Sequence, residues 1–311
     1  MKNKTILITG ASGFIGSALV KRLITEEPGT KLVLLSRGYT FPEYSDNRNI
    51  VPVIGDINNL ELLVYLLKLN QVTHVFHFAS EAIVSKYVKN PRQAYLDTVQ
   101  GVTSLLEAVR LSYVPIEKVI VSTSYKVYGN AEPPYNEETN FFPGNTYETA
   151  KACQDFIAQD YYRSFDVPVI IFRTVNVYGP GDRNESRLIP RSFSSVYKGE
   201  QPEVYSSFRD SMREFVYIDD VIDAVLLLFA KAKPGDIYCV GGYQHTIYEV
   251  VKTICDVTGF KNGVKITETE YVKESKEHSL DSSKIIELGW EKKTTLQKGL
   301  EKIHNQLHNL L

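Results

Sequence analysis

The chain has 311 residues, 43% hydrophobic and 23% charged, and its 35 Lys and Arg nearly balance 37 Asp and Glu for a net charge of −2. That length suits one large α/β domain, or such a domain with a smaller lobe. The near-neutral charge gives no electrostatic reason to expect nucleic acid or an anionic membrane as partner, and no stretch approaches about 18 uncharged apolar residues.

Met1-Lys2-Asn3-Lys4-Thr5 leads straight into an apolar run with no signal-peptide pattern. Cys153, Cys239 and Cys255 are odd in number and far apart, so neither a disulfide framework nor a metal site is expected. A soluble protein of the reducing cytoplasm is the expectation.

Taken in chain order, apolar runs predict strands over residues 6–9, 32–36, 51–54, 74–78, 119–122 and 169–173, and amphipathic periodicity predicts helices over 14–26, 60–69, 91–112 and 147–165. This alternation predicts an α/β fold, a Rossmann-type doubly wound parallel sheet with helices on both faces. After about residue 180, Gly179-Pro180-Gly181 opens a polar stretch and the elements become short and irregular, closing with amphipathic helices near 246–258 and 296–310. The expected division is a dinucleotide-binding domain over about 1–180, to which later segments return, and a smaller substrate-binding lobe over about 181–311.

The first strand runs into Thr9-Gly10-Ala11-Ser12-Gly13-Phe14-Ile15-Gly16. In a strand–turn–helix setting, Gly10 permits the tight turn, Gly13 lets backbone approach a pyrophosphate, and Gly16 lets helix pack close on sheet. The N–H groups at the helix start, from Ser12 through Ile15, face the phosphates. The second strand ends in Ser36-Arg37 with no carboxylate, and an arginine fork there favours the 2′-phosphate of NADP over NAD. Asp56 and Ile57 after the third strand suit the adenine, and Phe78, Ala79 and Ser80 after the fourth would run beneath the dinucleotide.

The fifth strand ends in Ser122-Thr123-Ser124-Tyr125-Lys126-Val127-Tyr128-Gly129. In an open parallel sheet, ligands bind beyond the carboxyl ends of the strands. Tyr147 and Lys151 are four apart, so they share one face of a helix. A neighbouring ammonium favours phenolate; bringing a tyrosine from its ordinary value near 10 toward 7 takes roughly 4 kcal/mol. The product is a general base able to take a hydroxyl proton as hydride leaves the same carbon, with Ser124 orienting that oxygen.

These segments together resemble an extended short-chain dehydrogenase/reductase of the nucleotide-sugar epimerase/dehydratase family. The likeness runs through Gly10–Gly16, Asp56, His77 to Ser80, Ser124/Tyr147/Lys151, Arg173 to Gly181, Arg213 to Asp220 and Asp281 to Lys284 before Leu288-Gly289-Trp290. By that resemblance the second lobe binds a nucleotide diphosphate: Asn176 and Arg213 at the pyrophosphate, Arg187 and Leu188 beginning the wall against the base, Tyr205 contacting it, and Glu274 at the ribose. A cluster of Arg187, Arg209 and Arg213 matches the diphosphate charge. Near the C-terminus, Lys273-Glu274-Ser275-Lys276 stands where the family often has arginine.

The family begins with hydride removal from sugar C4, after which nearby acids and bases decide the outcome. A 4,6-dehydratase places an acid/base pair directly after the strand-end hydroxyl; here Tyr125 and Lys126 stand there. Lys126 fits the lysine version as a proton carrier and Tyr125 departs from the acid. Glu81 and the Arg187-Leu188-Ile189-Pro190 stretch resemble dehydratases. Thr98 stands where many relatives carry Asn. The expectation is a variant 4,6-dehydratase, or an enzyme acting on a dehydrated UDP-sugar intermediate, with tightly bound cofactor; a 4-epimerase, an NADPH-dependent 4-ketosugar reductase and a non-catalytic sensor or scaffold are the alternatives. A UDP-hexose is the expected substrate, with CDP or dTDP forms open, and a homodimer the expected assembly.

Overall fold

The computed structural model describes residues 4–80, 87, 89–268 and 277–309. In chain order these form β1 (Thr5–Thr9), α1 (Phe14–Glu26), β2 (Lys31–Ser36), β3 (Ile50–Ile54), α2 (Leu60–Asn70), β4 (His74–His77), α3 (Pro91–Tyr95), α4 (Gly101–Ser112), β5 (Lys118–Ser124) and α5 (Thr146–Phe165). There follow β6 (Val169–Thr174), β7 (Asn176–Tyr178), α6 (Leu188–Tyr197), β8 (Glu203–Tyr205), β9 (Met212–Tyr217), α7 (Ile218–Lys231), β10 (Ile237–Val240), β11 (Tyr243–Thr246), α8 (Ile247–Thr258), β12 (Lys265–Thr267), α9 (Ser283–Leu288) and α10 (Leu296–His308).

The central sheet has seven strands in the order β10-β6-β5-β4-β1-β2-β3, and the pairs β1–β2, β1–β4, β2–β3 and β4–β5 are parallel. From β1 the chain winds outward to β3, then crosses back to β4 and outward again, as the alternating pattern predicts. The expected doubly wound sheet is present. Burial on both faces explains why β1 and β2 read as continuous apolar runs rather than as alternation. Side chains alternate all the same. Leu7, Val33, Val75 and Val119 face α2, α4 and α5 in one cluster, while Phe76 turns to the opposite face and stacks on Phe229 of α7, ring centroids 5.9 Å apart. β3, with Pro52 in it, is an edge strand, where a missing N–H donor is tolerated.

One helix departs from its sequence pattern. The stretch predicted as a helix over 91–112 is α3, a π-helical turn over Leu96–Gln100, and α4. The widened turn contains Thr98, fully buried, whose Oγ1 lies 2.7 Å from the Tyr87 hydroxyl. Periodicity cannot reveal one inserted residue in a helical turn.

The chain divides into two compact units. The larger comprises Met1–Ala131, Glu137–Arg173 and Ala224–Tyr238; the smaller comprises Glu132–Asn136, Thr174–Asp223 and Cys239–Leu311. Within the smaller unit, β11-β9-β7 form a mixed sheet and β12-β8 a parallel pair. Helices α6 and α10 both pack against α8. Among the described residues no helix is long and apolar enough to cross a membrane.

Candidate active site

In the larger unit the glycine turn has the geometry its spacing predicts. Gly10 has φ +70°, and a Cβ there would lie 2.7 Å from the Ala79 nitrogen, so the turn presses directly on the end of β4. A Cβ on Gly16 would collide with the Gly10 carbonyl oxygen, which is why helix and turn approach so closely. Gly13 is the N-cap of α1, with no side-chain cap and no acidic residue in the first turn; Ser12 and Gly13 are exposed, and Phe14 and Ile15 half-buried. Uncapped N–H groups at an accessible helix start, without nearby carboxylates, fit an anionic diphosphate. A nicotinamide dinucleotide therefore fits this cradle.

The other residues expected around the cofactor are placed as follows. Ser36 closes a local turn, its Oγ donating to the Tyr39 carbonyl at 2.6 Å and accepting from the Tyr39 N–H at 2.9 Å. Arg37 is 67% exposed and reaches Asp97 at 3.4 Å. Asp56 accepts the Asn58 N–H at 2.8 Å, and Ile57 is buried beside Gly101. At the end of β4 the Phe78 N–H donates to the Thr9 carbonyl, and His77 Nδ1 lies 2.8 Å from Thr9 Oγ1. Burial, and then the Lys151 charge, push the His77 imidazole down to about 3.

Ser124 ends β5, 8% exposed, and accepts the Lys126 N–H at 3.2 Å, which starts the turn over Tyr125–Tyr128. One of its two lone pairs is thus engaged with the backbone, and the hydroxyl proton is available to an oxygen beyond the strand end. Tyr125 is buried; the Lys126 ammonium lies 5.4 Å from its ring centroid. Asn145 caps α5 by accepting the Glu148 N–H at 3.0 Å, which sets Tyr147 in the first turn and Lys151 one turn on. Tyr147 is 9% exposed and packs against Tyr87, centroids 5.6 Å apart. Lys151 is buried, and its Nζ donates to Ser80 Oγ at 2.8 Å and to Gln154 Oε1 at 3.0 Å. Burial draws its ammonium down to about 8. Through Gly10 on Ala79 and Ser80 on Lys151, the glycine turn and the lysine are joined by contact.

Beneath these elements lies a buried ion pair. Arg173 donates to both carboxylate oxygens of Asp155, at 2.9 and 3.0 Å, to the Tyr128 hydroxyl at 2.8 Å and to the Glu137 carbonyl at 3.0 Å; Thr123 Oγ1 donates to Asp155 at 2.9 Å. Burial opposes the guanidinium charge, but Asp155 more than offsets it, and the Arg173 pKa lies above its ordinary value. Residue types and spacing in one helix pointed to Tyr147 and Lys151. Neither Gln154 nor Asp155 carries such a signal, because their partners are remote in sequence or lie on the same helix among many polar neighbours. Arg173, an arginine ending an apolar strand, was the one available hint that a buried partner is required.

In the smaller unit, Asn176 Nδ2 donates to the Glu214 carbonyl at 2.9 Å, and Arg213, 7% exposed, donates to the Met212 carbonyl at 2.8 Å. Arg187 is the N-cap residue of α6 and pairs with Asp182 at 3.1 Å. A cavity of about 180 Å³ is lined by Leu188, Arg191, Val204, Tyr205, Phe208 and Arg213 among others. Leu188, Tyr205 and Arg213 are thus brought together. Arg187 does not line that cavity, and Arg209 lies over the Tyr248 ring at 5.0 Å. Glu81 and Glu274 lie outside the described residues.

Residues 6–241 match the model of the NAD dependent epimerase/dehydratase family. Among curated proteins, the chain is 30% identical over 317 residues to a trifunctional UDP-glucose 4,6-dehydratase/UDP-4-keto-6-deoxy-D-glucose 3,5-epimerase/UDP-4-keto-L-rhamnose-reductase of Arabidopsis thaliana, covering 97% of this chain and 46% of that protein. The chain therefore spans about half the length of that relative. It is 29% identical to a dTDP-glucose 4,6-dehydratase of Haemophilus influenzae, covering 95% of each. Among solved structures, a UDP-glucose 4-epimerase of Thermotoga maritima with UDP-glucose superposes with a TM-score of 0.88 at 27% identity, covering 98% of this chain and 99% of that one. A dTDP-glucose 4,6-dehydratase of Streptomyces venezuelae with NAD bound gives 0.89 at 26% identity, covering 98% and 97%.

Proposed function

Because the chain belongs to the NAD-dependent epimerase/dehydratase family, we propose that it is a nucleotide-sugar enzyme that transiently oxidises hexose C4 and then performs proton and water chemistry at C5 and C6. The observation that carries this is the continuous contact from the glycine turn through Ala79 and Ser80 to Lys151, on the helix that bears Tyr147. A nicotinamide dinucleotide held in the glycine-turn cradle would supply the hydride acceptor for the C4 oxidation and the hydride the sugar takes back. Lys151 favours the Tyr147 phenolate by its charge; Tyr147 takes the C4 hydroxyl proton; Ser124, oriented by the Lys126 N–H it accepts, donates to the same oxygen. The resulting 4-ketone acidifies the C5 proton. Lys126 is the proton carrier between C5 and C6, and the Tyr125 hydroxyl donates to the departing C6 oxygen.

Asn176 and Arg213 would hold the pyrophosphate, and Leu188 and Tyr205, which share a cavity wall with Arg213, would hold the base. Arg187 and Glu274 keep the subsidiary roles the family likeness suggests, at the base wall and the ribose, and Glu81 that of a sugar contact. A UDP-hexose is the substrate put forward, ahead of CDP and dTDP forms. The cofactor is read as NADP, supported by the exposed Arg37 and the lack of a carboxylate at the end of β2. The absence of a disulfide at Cys153, Cys239 and Cys255 supports a reducing cytoplasm, and exposed Phe156, Tyr162 and Phe165 on α5 support a homodimer.

Incubation of purified protein with UDP-, CDP- and dTDP-hexoses in deuterated water, followed by NMR, tests the proposal. The expected product is a 4-keto-6-deoxy sugar with deuterium at C5, formed without added cofactor and lost in Tyr147→Phe. No turnover of any nucleotide sugar would overturn it. Tyr125, buried and without the acidity of a carboxylic acid, favours one second reading, a 4-epimerase. Inversion at C4 without loss of water would establish that instead.

A further inference from the structure

Among the described residues, Lys151 is buried with no carboxylate among its hydrogen-bond partners. The acid one turn along its own helix, Asp155, is committed to Arg173 and Thr123. Glu148, also buried on α5, accepts the Gly144 N–H at 2.8 Å. From β4, His77, buried and neutral, feels the Lys151 charge. Tyr147 lies on the same helix, one turn earlier. A buried ammonium without a counter-ion must be stabilised by hydrogen bonds or lose its proton. Here those bonds go to two neutral oxygens, Gln154 Oε1 at 3.0 Å and Ser80 Oγ at 2.8 Å, and Gln154 is itself 1% exposed.

We propose that Gln154 and Ser80 form a neutral acceptor clamp that keeps Lys151 protonated and aimed without cancelling its charge, making both of them positioning residues. An ammonium has three donors, and the clamp takes two, leaving one for a further acceptor. The choice of an amide at position 154 matters. A carboxylate would hold the ammonium more tightly but would neutralise it, and the field at Tyr147 would fall. An apolar side chain would leave the field intact only while the lysine stayed charged, and burial already acts against that charge. Two dipolar oxygens meet both needs. Ser80 also ties this arrangement to the cofactor cradle, because the residue before it is the one Gly10 presses on. The catalytic consequence rests on the proposed C4 oxidation; the clamp itself does not.

The test uses protein as purified, carrying 13Cε-labelled lysine, with the Lys151 resonance identified by its loss in Lys151→Arg. Titration by NMR is expected to show the midpoint lowered by about one pH unit in Gln154→Met and in Ser80→Ala, the scale of one charge-assisted hydrogen bond. In Gln154→Glu it rises. Variants that titrate with the wild type, or a Gln154→Glu midpoint that stays put, overturn the clamp whether or not any sugar is turned over. Once a substrate is in hand, Gln154→Met should move the alkaline limb of the kcat profile to lower pH with KM unchanged, and Gln154→Glu should move the acidic limb upward as the phenol loses its cationic neighbour. Limbs that stay in place would show that the clamp serves packing alone.

Discussion

The Arg173–Asp155 pair offers the most direct test of what holds the larger unit's functional elements in place. Two unit charges about 3 Å apart interact by about 5–6 kcal/mol at an effective dielectric near 20. Desolvation offsets much of this, so replacing both partners by apolar groups is nearly neutral, whereas removing one strands the other. In Asp155→Asn, one carboxylate oxygen becomes an NH₂ that faces the guanidinium or the Thr123 hydroxyl, and donors meet donors where acceptors stood. The expected loss is about 3–5 kcal/mol, or a Tm lower by about 10 °C. Calorimetry on Asp155→Asn, Asp155→Leu, Arg173→Met and the pair Asp155→Leu/Arg173→Met reads it. The double variant should be less destabilised than the sum of the single Asp155→Leu and Arg173→Met changes by more than about 2 kcal/mol. Simple additivity, or an Asp155→Asn loss below about 1 kcal/mol, would refute the coupling inferred from the geometry. Because Thr123 precedes Ser124 and Tyr128 closes the Tyr125–Tyr128 turn, Arg173→Met should also lower kcat more than it raises KM.

Gly16→Ala places a methyl against the Gly10 carbonyl, and a loss of about 1–3 kcal/mol together with weakened dinucleotide binding is expected by denaturation and fluorescence titration. Burial pushes Glu214 up to about 7, above its ordinary value of 4.5, despite N–H donors from Gly242 and Leu280. Its raised pKa means the folded state keeps a proton the unfolded state has released, so this group's contribution falls as pH rises from 4.5 to 7; Glu214→Gln should raise the unfolding free energy at pH 8, by at most about 3 kcal/mol, and change it little at pH 5. His77 has the opposite sign. With its folded pKa down at about 3 against 6.5, stability is lost at about 1.4 kcal/mol per pH unit as pH falls below 6.5, and His77→Gln should flatten that slope in urea titrations. Arg37→Glu should lower NADP affinity more than tenfold while sparing NAD; equal loss of both would count against the 2′-phosphate role.

Local patterns determined the parts of this protein whose physics is local. A glycine turn needs glycines at three positions within seven residues, and a tyrosine and lysine four apart share a helix face wherever that helix lies; both could be read directly. Strand–helix alternation determined the doubly wound sheet, since burial on both faces demands continuous apolar runs. What the tertiary structure decided are the pairings across long sequence separations. Ser80 meets Lys151 across 71 residues, and Thr123 meets Asp155 across 32. The inserted residue that turns Thr98 toward Tyr87, the excursion of Glu132–Asn136 into the smaller unit and the return of Ala224–Tyr238 to the larger belong to the same class. A buried charge or hydroxyl requires a partner, but composition and spacing do not say which one. Only the packed chain, by excluding water, makes one partner better than the rest.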